Sequence, residues 1–368
     1  MNHAISNKGE RLVSLDFLRG AIMVLLALES TGLYERLAEV NTNDLVENFL
    51  TQFFHHPWNG LRFWDLIQPG FMFIAGTAMA FSLHKQAEQG LSWSYSFKKI
   101  LKRCGWLFFW GVLDYAVRPS GLSFELWDVL TQLSFTTLVA FLIFHFKMKY
   151  QILIAIAILL LTEYLYRFTG ITGFDQPFTD QHNFGNYMDL VLMNKINNDG
   201  WVAINCLPTA VHTIAGALAG KLLLQKNVRT LKILLLSGLI CLILGYTLDL
   251  LEITPIIKRI ATTSFTMASL GWCLLALCAC YYFIDVKEHR LNLKFFLVMG
   301  MNSIFIYLFF EIVGHRWFNE YIDSIVGGLS KIAGLPPSLG LILGSISIFC
   351  LEWGICYFLF KKRVFFKL

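Results

Sequence analysis

The sequence predicts an all-α, polytopic membrane bundle of about ten transmembrane helices, and three observations carry that expectation. Hydrophobic residues make up 56% of the 368-residue chain and charged residues only 15%, whereas a soluble domain carries about 25% charge. Mostly apolar stretches of about 20 residues, the length a bilayer requires, recur near 15–34, 63–84, 99–118, 125–146, 150–168, 203–224, 231–251, 263–284, 294–314 and 337–360. Between them the 30 Lys and Arg residues are split 21 to nine, with the majority on the side of the N-terminus. By the positive-inside rule, both termini are expected in the cytoplasm.

Other classes recede on the same grounds. The net charge of +5 is dispersed at helix ends and forms no basic face, so no nucleic-acid partner is expected. None of the eight cysteines has zinc-site spacing with a histidine, and no metal is expected. Residues 1–12, MNHAISNKGERL, lack an apolar core and a small-residue cleavage site and do not read as a signal peptide. No repeat or linker interrupts the chain, so residues 1–368 are read as a single integral membrane domain.

Ionisable groups within a membrane are costly and are functional candidates by default. In the first span Asp16 and Arg19 stand three apart, close enough to pair, and a structural ion pair is the ordinary reading. Glu29 and Ser30 lie roughly 15 Å further along that helix axis, at 1.5 Å per residue. A long segment, 35–62, then closes on His55-His56-Pro57-Trp58-Asn59-Gly60. Histidine is the usual general acid or base near neutrality, although an interfacial, solvated pair would also read this way. Asp65, at the start of the second span, either orients a histidine or caps the helix. Asp114 and Pro208 blur the third and sixth spans. A second long loop, 169–202, is rich in Asn, Asp, Gly and aromatics, and loops of that length are usually functional or disordered. His212, AGALAG at 215–220, Asp249, Asn302, Glu311 and Glu352 read first as packing or interhelical hydrogen-bonding groups. No P-loop, GxSxG, HExxH or dinucleotide fingerprint is present.

Five blocks carry a resemblance: RLVSLDFLRGAIM at 11–23, HHPWNGLRFWDLIQPGFMFIAGTAM at 55–79, AGALAGK at 215–221, KRIATTSF at 258–265 and FFLVMGMNSIFIY at 295–307. With them the chain resembles the transmembrane heparan-alpha-glucosaminide N-acetyltransferase family and its bacterial relatives over nearly its whole length. The resemblance implies a multi-helix bundle, often dimeric. It implies an acetyl group carried from cytosolic acetyl-CoA, the donor, to the amine of a glucosamine-type sugar or glycan terminus across the membrane. The family's catalytic histidine stands three residues before the Trp of its His-x-x-Trp-x-Gly motif, which here is His55. Asp65 or Glu29 would orient it. Trp58, Asn59, Ser30 and His56 would meet the acceptor. Asp16, Arg19, Lys221, Lys294 and Asn302 would serve the donor. The likeness to bacterial relatives points to the inner membrane.

There are departures. Ser30 stands where active relatives carry Asn, LTQ at 130–132 stands where Leu-Gln-Arg is common, and the loop before His55 is longer. Two further readings stay open at this point. One is an amino-sugar permease, weakened because no inverted repeat is visible. The other is an O-acetyltransferase of a surface glycan.

Overall fold

The structure, a computed structural model, describes residues 12–118, 121–225, 227 and 229–366. The N-terminal stretch discussed above lies outside the described residues except for Leu12, as do Lys8, Arg11, Lys226 and Lys367 of the charge count. The chain is 75% helical, with no strand among the described residues.

The helices run in the order α1 (Val13–Ser30), α2 (Leu33–Val40), α3 (Asp44–Leu50), α4 (Ile67–Glu88), α5 (Trp93–Ala116), α6 (Val129–Ile143), α7 (Met148–Phe168) and α8 (Phe184–Met193). They continue with α9 (Cys206–Leu224), α10 (Thr230–Leu250), α11 (Thr263–Cys280), α12 (Lys294–Met301), α13 (Ser303–Phe309), α14 (Asn319–Ile332) and α15 (Pro337–Lys361). Side-chain caps start several of them. Asn43 accepts from Leu45 N and Val46 N, Ser92 from Tyr95 N, Asp128 from Leu130 N and Thr262 from Phe265 N. Each takes up backbone N–H groups that a helix start leaves open.

Helix α4 lies directly on α9. A side chain at Gly216 would run into the backbone of Phe73, and one at Gly76 into that of Thr213. The AGALAG stretch is therefore a contact surface where only the absence of a Cβ lets two backbones meet. The outward faces of α7 and α10 are apolar and exposed, for example Leu153, Leu160, Leu161, Ile240 and Ile243. Such faces suit lipid.

Six helical segments are long and apolar enough to cross a membrane, and a seventh is reached if Lys294–Met301 and Ser303–Ile332, bent by 73°, form one span. The protein is an integral membrane protein of about six to seven spans on that measure. Helices occupy all ten stretches read from the sequence, but α1, α5 and α6 fall short of the test. Helix α6 has only 15 residues and buries Thr131, Gln132, Ser134, Thr136 and Thr137. Helix α1 carries Asp16, Arg19 and Glu29 within 18 residues. Helices α1 and α6 contribute residues to the cavities, as does α5 through Arg103 and Tyr115, although α5 also exposes Lys98, Lys99, Lys102, Trp106, Phe108 and Phe109.

Candidate active site

After a 3₁₀ turn at Thr51–Phe53 the chain runs extended through His55 and His56, turns, and enters a second 3₁₀ turn at Phe63–Leu66 before α4. Asp65 lies in that second turn. Its Oδ2 accepts from the backbone N–H of Arg62 at 2.9 Å and of His56 at 3.3 Å. Its Oδ1 stands 3.0 Å from His55 Nδ1. The Asp65 side chain is 1% exposed and that of His55 39% exposed. A carboxylate fixed by two backbone donors is thus aimed at one edge of an imidazole whose other edge is open. Among the described residues, Nε2 has no hydrogen-bond partner.

A third group completes the cluster. Lys258, in the connection between α10 and α11, brings Nζ to 3.0 Å from His55 Nδ1 and 3.6 Å from Asp65 Oδ1. Its side chain is only 7% exposed. Burial pushes the ammonium down to about 8, against the pull of Asp65. Burial, followed by the Lys258 charge, holds His55 below the usual imidazole value, against the pull of Asp65. Nδ1 cannot serve both neighbours at once. With its proton on Nδ1 the ring donates to Asp65, Lys258 pairs with the carboxylate, and Nε2 presents a lone pair, as a general base requires.

The HHPWNG loop is what brings Lys258 there. Asn59 forms an antiparallel bridge with Ile257, and Gly60 N–H donates to Ile256 O at 2.7 Å. Gly60 takes φ +142, where an L side chain is strained, and a Cβ there would sit 2.6 Å from His56 Nε2. Gly60→Ala is expected to cost about 1–3 kcal/mol of stability and to lower activity with it. A melt in detergent beside an activity assay tests this. An unchanged melting temperature would mean that the bridge does not hold the loop.

His55 and Lys258 face a cavity of about 260 Å³ with Glu29, Trp64, Asp128 and Trp201 on its walls. The His55 ring meets Trp201 edge-on at 5.8 Å, and the Lys258 ammonium stands 5.3 Å from the same indole. A second cavity, of about 500 Å³, is lined by Arg19 and Arg103 together with apolar residues that include Ile74, Leu130 and Leu133. The two cavities share Phe71, Val129 and Tyr307. Tyr307 donates to Asp128 at 3.0 Å across that shared wall. The two cavities therefore adjoin, one lined by His55, Lys258 and Arg118 and the other by Arg19 and Arg103.

Of the two carboxylates offered as the orienting group, Asp65 bonds the ring. Glu29 lines the same cavity without a hydrogen bond to His55. Arg19 lines the second cavity and pairs with Asp16 at 3.5 Å.

The other expected residues lie elsewhere. Ser30 turns back to Ala27 O and is buried. Trp58 donates to Phe178 O at 2.7 Å and packs inside the loop region with Tyr166 and Val202. Asn59 is exposed and bridges through its backbone. The His56 ring packs against Gly60, and burial and Arg62 hold it below the usual imidazole value. Lys221 donates to Phe144 O and lies over that ring. Lys294 lies over Tyr357. Asn302 bonds the C-terminal backbone. His212 is fully buried against Ser269, 2.9 Å away.

Sequence reasoning did not single out Lys258, Arg103, Trp201 or Tyr307 as site residues. A signal for Lys258 exists in the sequence: adjacent basic residues, Lys258-Arg259, on the side that is otherwise poor in them.

A family model described as heparan-alpha-glucosaminide N-acetyltransferase, catalytic, matches residues 11–248 of the chain. The match holds His55, Asp65, Arg19 and Arg103, and ends before Lys258 and Tyr307. No curated protein matches the sequence.

Proposed function

The chain belongs to the heparan-alpha-glucosaminide N-acetyltransferase family, and from that premise we propose an acetyl transfer from acetyl-CoA, held at the Arg19–Arg103 end, to the amine of a glucosamine-type sugar or glycan terminus at the His55 end. The family makes it a membrane acetyltransferase. The excess of basic residues on one side in the ten-span reading supports a cytoplasmic Arg19 end and an external His55 end. A bacterial inner membrane and a dimer accord with the family.

The observation that carries the reading is the pair of adjoining cavities, one holding His55 and the other two guanidiniums. Among the described residues no carboxylate pairs with Arg103, whose charged neighbour is Arg19. Two like charges facing an open space suit phosphate oxygens. The apolar lining of the same cavity, including Ile74, Leu130 and Leu133, suits an uncharged arm. Acetyl-CoA supplies the acetyl thioester at the end of such an arm.

The protein's part is positional and acid–base. An amine attacks only when neutral, so His55 Nε2 takes the proton as the new C–N bond forms. His55 then returns that proton to the departing thiolate as the C–S bond breaks. Asp65 keeps the second ring proton on Nδ1 throughout, so that Nε2 stays the reactive edge. The Trp201 face suits the apolar side of a sugar ring.

The experiment uses purified protein in detergent, radiolabelled acetyl-CoA and a panel of amino sugars with glucosamine first. Label on a sugar nitrogen is the expected result. Label on a hydroxyl would make the protein an O-acetyltransferase. If CoA fails to bind, acetyl transfer is the wrong chemistry and a solute passage replaces it. Inside-out membrane vesicles should accept external acetyl-CoA, and right-side-out vesicles should not.

A further inference from the structure

Helix α15 ends at Lys361, and the chain immediately doubles back. Arg363 takes φ +56, its N–H donates to Phe360 O at 3.1 Å, and Val364 N–H donates to Leu359 O at 2.9 Å. These bonds satisfy the last carbonyls of the helix and aim the remaining residues back along the bundle. There they meet Asn302, at the bend between α12 and α13. Asn302 is 0% exposed. Its Nδ2 donates to Val364 O at 3.3 Å, and its Oδ1 accepts from Phe366 N–H at 3.1 Å. One side-chain amide thus serves residues two apart, as the backbone of a neighbouring strand would. Both ends of the amide are committed, so the expectation that Asn302 touches the donor does not fit the geometry.

The tail that Asn302 holds is a wall of the larger cavity. Phe365 and Phe366 line it with Arg19, Arg103 and Met301. Phe366 remains 40% exposed, and Lys361, Lys362 and Arg363 are exposed beside it. An aromatic ring at a membrane surface is ordinarily an anchor. These two share a cavity with guanidiniums, and Arg103 has no carboxylate partner among the described residues. Flat apolar faces beside such cations are what a nucleotide requires, the base stacking and the phosphates pairing.

We infer that the segment Val364–Phe366 forms the nucleotide-binding wall of the donor site, with Phe365 and Phe366 taking the base by stacking and Asn302 acting as the positioning residue that holds the segment in place. The inference rests on the reading of a nucleotide thioester as the donor. Basic residues at the mouth add attraction for a polyanion. The Val364–Phe366 segment and Asn302 lie beyond the stretch matched by the family model.

The test uses full-length protein with Phe365→Ala and Phe366→Ala combined. Binding of radiolabelled CoA is measured directly, and turnover is followed with acetyl-CoA and with S-acetylpantetheine, which carries the same thioester without a nucleotide. CoA binding is expected to weaken about tenfold, the order of one lost stacking contact, with the loss appearing in KM for acetyl-CoA rather than in kcat. With S-acetylpantetheine the change should shrink to within about twofold. Asn302→Asp, which keeps an acceptor for Phe366 N–H and loses the donor to Val364 O, should reproduce the effect in weaker form.

Equal CoA affinity in the double variant and the unaltered protein would overturn the inference and leave the donor reading intact. Equal losses with both thioesters would make the segment a structural plug, which also overturns the inference. If the unaltered protein binds no CoA, the donor reading fails, and the inference fails with it.

Discussion

His55→Ala is expected to lower acetyl transfer by about 10²–10⁴-fold, the range that a positioned general base contributes, while His56→Ala changes it by no more than a few-fold. The two histidines are adjacent and equally suggestive as residues, and their surroundings separate them. His55 gives one ring edge to a carboxylate that is itself fixed by two backbone N–H groups, and turns the other edge to the cavity. His56 gives Asp65 only its backbone N–H, and its ring packs on Gly60. The measurement is turnover of purified variants with saturating acetyl-CoA, alongside CoA binding to show that the donor end is intact. Comparable losses in both variants would mean the loop is needed only for shape. A His55 variant that still turns over at near the original rate would remove the base from the mechanism.

The depth to which the sequence could be read followed sequence distance. His55 and Asp65 are ten residues apart, so a short loop entering a helix already implies that they meet. Lys258 is 203 residues from His55, and no spacing rule reaches that far. Its arrival depends on a backbone bridge from Asn59 to Ile257, a contact between two irregular segments that have no periodicity to read.

The same limit explains Trp58. An indole three residues from His55 looked like an acceptor platform, yet it packs in the loop core and Trp201, from the other long loop, takes the cavity wall. Helices in the ten long apolar stretches were legible because apolar length is a local property, whereas the short helices α2, α3, α8 and α14 lie largely outside those stretches and were not read. The status of α1 and α6 as spans was less legible, because their polar residues face the interior, and α5 carries exposed lysines at Lys98, Lys99 and Lys102. Lys221 and Lys294 show the cost of reasoning from helix ends alone. Both are cations near the expected face, and both lie over aromatic rings and line neither cavity.

Lys258→Met is expected to lower turnover roughly tenfold and to shift the acidic limb of the pH–rate profile to higher pH. The magnitude is that of a charge-assisted contact of about 1.5 kcal/mol; the direction follows from the charges. The base must be neutral to accept a proton, so the rate falls as pH drops through the His55 pKa. Burial and then the Lys258 charge depress that pKa in the unaltered protein, which extends activity toward lower pH. Removing the ammonium leaves Asp65 as the near charge, and Asp65 favours the imidazolium. The His55 pKa therefore rises, the ring protonates earlier on acidification, and the limb moves up. Met matches the lysine stem in length, and Asp65 keeps its bonds to His55, His56 and Arg62, so the site is not left with an unpaired buried carboxylate.

Lys258→Arg, which retains the charge, should keep the limb near its original position even if turnover falls. A merely structural lysine predicts the opposite pattern: lower yield or melting temperature in the Met variant, with the limb unmoved. That result would return Lys258 to packing and leave His55 and Asp65 as the working pair. A limb that moves with Met and stays with Arg would make the lysine the residue that keeps the base deprotonated, by a charge 3.0 Å from the ring nitrogen that it does not use for catalysis.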